Sequence, residues 1–139
     1  MQDTACLVFC CMIRGMEQSE WNQNSREFGA WGEEAARAYL ERVGFDVLYQ
    51  NVYTEYGEID LVARKDGRLH MVEVKTRRTR AFGFPEESLT ERKHQLMQDS
   101  AQAFMQANPD LGADFQIDVI AVQVMPDKTY EVTYFENAV

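Results

Sequence analysis

The chain has 139 residues, 45% of them hydrophobic and 27% charged, with a formal net charge of −9. That length can bury one hydrophobic core without disulfide staples, and the composition is that of an ordinary soluble globular protein. It excludes a membrane-spanning helix, since no apolar run approaches the roughly 20 residues needed, and it argues against broad electrostatic adhesion to nucleic acid.

Residues 1–25 read as a leader, expected to be poorly ordered, ahead of one domain over 26–139. The apolar stretch from Ala5 to Ile13 has only Asp3 as a charge before it and no clear small-residue cleavage site after it. No export signal is read there, and the cytoplasm is the expected location. Cys6, Cys10 and Cys11 all fall in this stretch. An odd number of cysteines with no histidine nearby points to free thiols, not to a disulfide framework or a metal site.

A first helix is expected from about Ser25 to Val43, where Phe28, Trp31, Ala35, Ala36, Tyr39, Leu40 and Val43 recur at helical spacing and Gly44 stops the run. Phe45 to Thr54 reads as a strand. Glu58–Lys65 and Arg68–Arg77 read as two more, joined by Asp66-Gly67, a strong two-residue hairpin signal. A second helix opens at Thr90 and runs through Leu96, Met97, Ala101, Phe104 and Met105 to Asn108-Pro109. Phe115–Val124 and Thr129–Phe135 complete the set. The fold class is α/β, with a central mixed sheet of about five strands, at least partly parallel and flanked by helices.

Charge is unevenly distributed. Between Arg64 and Lys93 lie nine basic residues against five acidic ones, inside a chain that is acidic overall. A basic middle of this kind is a candidate anion-binding face, although a charge run is commonly a solvated surface.

The hairpin carries the chemistry. A two-residue turn at Asp66-Gly67 sets Asp60 opposite Glu73 and Glu58 opposite Lys75, so these four polar residues share one face. Ile59, Leu61, Ala63, Val72 and Val74 fall on the other, which reads as the core face by alternation. Val62, Leu69 and Met71 share the charged face, and helices covering both faces of the sheet would leave the charges partly buried. Two opposed carboxylates repel, and a divalent cation, which takes hard oxygen ligands, offsets that repulsion. Lys75 could offset it too, as one partner in a cross-strand salt bridge. Glu33 adds a third acid, because it lies on the packed helical stripe with Ala36, Leu40 and Val43. His70 falls on the apolar face and His94 in the second helix, and both read as structural. Tyr49, Tyr53 and Tyr56 read as packing or surface residues, not as a platform for bases.

Gly32-Glu33-Glu34-Ala35-Ala36, Gly57-Glu58-Ile59-Asp60-Leu61 and Val72-Glu73-Val74-Lys75-Thr76-Arg77 resemble the bacterial YraN family, also called UPF0102. The resemblance extends from about Phe28 to Val122, through Phe82-Gly83-Phe84-Pro85, Arg92-Lys93 and Asp118-Val119. That family belongs to the restriction-endonuclease-like superfamily and is similar to archaeal Holliday junction resolvases. The acid at Asp60, twelve intervening residues and then Glu73-Val74-Lys75 match the superfamily's PD-(D/E)XK signature.

The resemblance implies a restriction-endonuclease-like core and a metal-dependent endonuclease hydrolysing phosphodiester bonds in structured or branched DNA, in repair or recombination. It implies that Asp60, Glu73 and Glu33 hold Mg2+ or Mn2+, that Lys75 orients or activates the attacking water, and that Glu58 supports them. Arg77, Arg78, Arg80, Arg92 and Lys93 would contact backbone phosphates, which position DNA without reading its sequence. A homodimer is plausible on functional grounds, because resolving a two-fold junction takes two sites. The alternatives are a non-catalytic nucleic-acid-binding module and a protein-interaction module that keeps the fold. The acidic balance and the leader both depart from the family pattern.

Overall fold

The computed structural model describes residues 4–7, 25–78, 90–125 and 129–138, with backbone alone for 4–7. Cys10, Cys11, Arg80 and most of the leader lie outside the described residues. The elements in chain order are β1 (Thr4–Leu7), α1 (Ser25–Arg42), β2 (Asp46–Thr54), β3 (Gly57–Lys65), β4 (Arg68–Arg78), α2 (Glu91–Ala107), β5 (Phe115–Val124) and β6 (Tyr130–Phe135).

The strands form one six-stranded sheet in the order β1-β6-β5-β4-β3-β2. The β4–β5 pair is parallel and all the others are antiparallel. The mixed α/β sheet is therefore the expected one, with an additional edge strand where Thr4–Leu7 pairs with β6. Parallel strands need a crossover, and α2 supplies it between β4 and β5.

The β3–β4 turn adopts positive φ at both Asp66 (52°) and Gly67 (78°), the signature of a two-residue I′ hairpin. That turn fixes the register from Lys65↔Arg68 to Leu61↔Val72. Thr90 caps α2, its side chain accepting the Lys93 N–H at 3.2 Å.

Each sheet face has its own helix. On one, Ala36 and Leu40 of α1 bury against Leu61, Ala63, Val72 and Ile120. On the other, Ala101, Phe104 and Met105 of α2 pack on Val62, Leu69, Met71 and Ile117. Ile59 departs from the alternation expected of it: it belongs to the α2 side, whereas Leu61 and Ala63 belong to the α1 side. The face changes at Asp60, where the sheet is interrupted.

Candidate metal and phosphate site

The β3–β4 ladder stops at Leu61↔Val72, one pair short of Asp60 and Glu73. The Asp60 side chain takes over there, its Oδ2 accepting the Val74 N–H at 2.8 Å. On the other flank, β2 bridges Gln50↔Leu61 and Val52↔Ile59 but skips Asn51, which sits at φ 53°. Asparagine is among the few non-glycine residues that enter this left-handed region readily. Asp60 thus occupies a gap in the sheet, with regular pairing broken on both sides.

Helix α1 reaches this gap through Gly32. A Cβ placed on Gly32 would lie 1.8 Å from Thr76 Oγ1 and 2.8 Å from Thr76 Cβ, so only glycine lets the helix lie this close to β4. The next residue, Glu33, is thereby brought to Asp60.

Glu33, Glu58 and Asp60 each offer a carboxylate oxygen, and these oxygens all lie within 4.8 Å of one another. In the orientation that satisfies its hydrogen bonds, the Asn51 amide donates to Glu33 Oε2 at 3.0 Å and Glu58 Oε1 at 2.8 Å. One amide does not offset three acids. Burial first, and then the Glu73 charge, push the Asp60 carboxyl up to about 8, against the lowering effect of the Val74 N–H. Burial and then the neighbouring Glu58 raise Glu33 above the usual carboxylate range. Both groups resist ionising as the protein stands, so the cluster favours any cation that can enter.

The two calcium- and magnesium-type requirements, hard oxygen donors and net negative charge, are both met here. Glu73 is placed differently from its three companions. Its Oε1 lies 3.3 Å from Lys75 Nζ, with both side chains only 17% exposed. Glu73 still lines the same cleft as Asp60 and raises its pKa, so it adjoins the cluster from the β4 side. The resemblance implies Glu58 as a supporting residue and Glu73 as a ligand; in the fold Glu58 is the one whose oxygen lies with those of Glu33 and Asp60.

The cleft has a volume of about 270 Å³ and is walled by Tyr56, Glu58, Asp60, Glu73, Lys93 and Leu96, among others. Lys93, in the first turn of α2, comes against Lys75. The adjoining Lys75 amine, followed by burial, pushes the Lys93 amine below the usual lysine range, while Glu73 and Asp60 act in the opposite direction. Two lysines held together beside an acidic cleft concentrate positive charge that attracts an anion. Lys93, expected from the resemblance to contact backbone phosphates, lines the same cleft as Glu58, Asp60 and Glu73.

The remaining basic residues are distributed unevenly. Arg77 follows Glu73 and Lys75 on β4 at alternate positions and is half-buried. Arg92 is exposed at the start of α2. Arg78 turns the other way, its guanidinium 5.0 Å over the Phe28 ring of α1.

A larger cleft of about 590 Å³ lies by the β3–β4 turn, walled by Tyr39, Phe45, Lys65, Arg68, His70 and Tyr134 among others. Its polar groups are engaged internally. Asp118 is fully buried and accepts from His70 Nδ1 (2.7 Å), Gln116 Nε2 (2.8 Å), the Asn137 N–H (2.9 Å) and the Tyr134 hydroxyl. Burial works to raise the Asp118 carboxyl, but the bonds from His70, Tyr134, Gln116 and Asn137 hold it below its ordinary value. Burial, and then the Asp118 charge, keep the Tyr134 phenol well above its own. Arg68 bonds Gln116 Oε1 at 3.0 Å and Asp114 Oδ1 at 3.4 Å, and Lys65 Nζ bonds the Val43 carbonyl at 3.0 Å. His70 is structural, as expected, and its polar partner is Asp118.

Comparison with known proteins agrees with the motifs from which the site was built. The model of "Uncharacterised protein family UPF0102" matches residues 32–122, a span that includes Glu33, Glu58, Asp60, Glu73, Lys75 and Lys93. A UPF0102 protein of Syntrophomonas wolfei is 40% identical over 114 residues, covering 82% of this chain and 98% of the relative. Those of Caldicellulosiruptor saccharolyticus and Sulfurihydrogenibium sp. are 32% and 39% identical, covering 83% and 79% of this chain and 98% and 91% of the relatives. Among the described residues no helix is long and apolar enough to cross a membrane. The chain belongs to the UPF0102 family.

Proposed function

We propose that this chain is a metal-dependent endonuclease with a restriction-endonuclease-like core, hydrolysing phosphodiester bonds in structured or branched DNA. The observation that carries this reading is the meeting of Glu33, Glu58 and Asp60 oxygens within 4.8 Å at a break in the sheet, beside the Glu73–Lys75 pair. The donor set suits Mg2+ or Mn2+, held by Asp60 and Glu33 with Glu58 and Glu73 at hand. When bound, the ion supplies a lowered water pKa and charge compensation at the phosphate.

This chain's own residues do the rest. Lys75 is held in place by Glu73 and can orient a water or a phosphate oxygen at the edge of the cluster. Lys93 adds a second positive charge where negative charge accumulates in phosphoryl transfer. Asp60 is fixed by the Val74 N–H, so its carboxylate is pre-positioned. Arg77 and Arg92 extend a basic path for the backbone.

The test is cleavage of labelled four-way junctions, flaps, single strands and duplexes with Mg2+ or Mn2+ at low salt. Metal-dependent cutting by the wild type that vanishes in Lys75→Ala supports the reading. Tight junction binding with no cutting of any substrate removes it and favours a binding module. The net charge of −9 favours a protein-interaction role as the second reading, which requires that neither DNA nor RNA binds at low salt.

A further inference from the structure

We propose that Tyr56 is a stacking platform for an unpaired base beside the cut phosphate, so that the substrate is DNA containing unpaired nucleotides and not continuous duplex. The identity of the neighbouring phosphate site rests on the nuclease reading above; the platform rests on its own geometry.

Three tyrosines of the β2–β3 hairpin are exposed, and they differ in what they do. Tyr49 is 44% exposed and packs edge-on against Phe104 with ring centroids 5.6 Å apart. Tyr53 is 78% exposed and does not line the cleft. Tyr56 is 43% exposed and forms part of the cleft wall, together with Leu96 and Met97 of α2. Leu96 is itself 38% exposed. An aromatic ring and an exposed leucine therefore line the same cleft as Asp60, Glu73 and Lys93.

The backbone that carries the ring is fixed. Tyr56 sits in the two-residue connection between β2 and β3, closed by the Thr54↔Gly57 pair. Thr54 Oγ1 accepts the Tyr56 N–H at 3.2 Å and donates to the Gly57 carbonyl at 2.9 Å. Gly57 holds φ 149°, and a Cβ there would meet Ser100 Oγ at 3.5 Å, so the turn lies close to α2. A ring on a turn so fixed loses little conformational entropy on binding.

A base in continuous duplex has both faces covered by its neighbours, whereas an unpaired base offers a face to an aromatic ring. A phosphate drawn to Lys93, with its base on Tyr56, engages both the charged and the apolar parts of one cleft. The acidic chain provides few cations beyond this region, which suits a short contact more than a long duplex groove.

The test uses a single-stranded DNA oligonucleotide carrying 2-aminopurine, and the same sequence as duplex, titrated with the full chain in Ca2+. Stacking quenches the fluorophore. The expected result is quenching of the single strand by wild type, at least about fivefold weaker binding with Tyr56→Ala, as base–aromatic stacking implies, and recovery with Tyr56→Trp. Melting of Tyr56→Ala at the wild-type temperature establishes that it folds. Equal quenching by wild type and Tyr56→Ala, or duplex bound by wild type as tightly as single strand, overturns the proposal. Tyr56-dependent quenching without cleavage of any substrate would remove the nuclease reading and keep the platform; cleavage with Tyr56-independent quenching would do the reverse.

Discussion

Asp60 accepts the Val74 N–H at 2.8 Å, and this one bond stands where the β3–β4 ladder would otherwise continue. It joins the fold to the site, because the carboxylate that replaces a backbone partner is also the one pushed up to about 8. A raised acid favours its protonated form in the fold. Its contribution to stability is therefore fully present below the unfolded value of 3.8 and is lost as pH rises towards about 8. In metal-free buffer the melting temperature should fall across that window, with Asp60 contributing on the order of 1–3 kcal/mol. Saturating Mn2+ should restore about 2–3 kcal/mol near neutral pH. Thermal melts in chelator and in Mn2+ check both.

The Gly32–Thr76 approach sets the position of Glu33. Gly32→Ala forces α1 away from β4 and should cost about 1–3 kcal/mol, the usual range for overpacking. Divalent-metal affinity should fall with it, although no acid has been changed. Pairing it with Thr76→Gly removes the atoms that the new Cβ meets, and should recover part of both losses. Denaturant unfolding and metal titration of the single and double variants measure the two effects.

Asp118 has the opposite pH sign to Asp60. Its carboxyl is held below the ordinary value, so its stabilisation is present above the unfolded value of 3.8 and is lost as pH falls through the lower folded one. Asp118→Ala leaves the His70, Gln116, Tyr134 and Asn137 donors without their shared acceptor and should cost about 3–5 kcal/mol. Any activity of the surviving folded fraction should be unchanged per molecule, since this network sits in a different cleft. Urea melts and active-fraction measurements separate the two.

Lys93→Ala removes one of two mutually repelling cations, so stability should change by less than about 0.5 kcal/mol. Turnover should drop by about 10- to 100-fold if Lys93 stabilises charge at the phosphate, with Lys93→Arg recovering part of it. Single-turnover cleavage against substrate concentration separates binding from chemistry.

Much of this was legible in the sequence, for local reasons. Asp66-Gly67 dictates its own turn, and the turn dictates the register as far as Leu61↔Val72, beyond which the expected Asp60–Glu73 and Glu58–Lys75 pairs do not form. The α1 stripe placed Glu33 on the packed side, and Thr90 announced the start of α2. What alternation misses is the fork. Ile59 turns to the α2 side because the ladder opens at Asp60, and Asn51 takes a left-handed conformation that no hydrophobic pattern encodes. An asparagine inside a strand of β-branched, aromatic and other residues is the one available signal. The partnership of His70 with Asp118, 48 residues apart, is tertiary, and so is the approach of Lys93 to Lys75. The Thr4–Leu7 strand lies within the apolar, cysteine-containing stretch that the sequence assigns to a leader.

The most direct test of the central claim is a calorimetric titration of Mn2+ into the metal-free chain, wild type and Asp60→Asn side by side at pH 7.5. The expected result is saturable binding of Mn2+ by the wild type, weakened at least about tenfold in Asp60→Asn, with protons released as the raised carboxyls ionise. No binding by the wild type, or equal binding by the variant, would contradict the assignment of Glu33, Glu58 and Asp60 as a cation site.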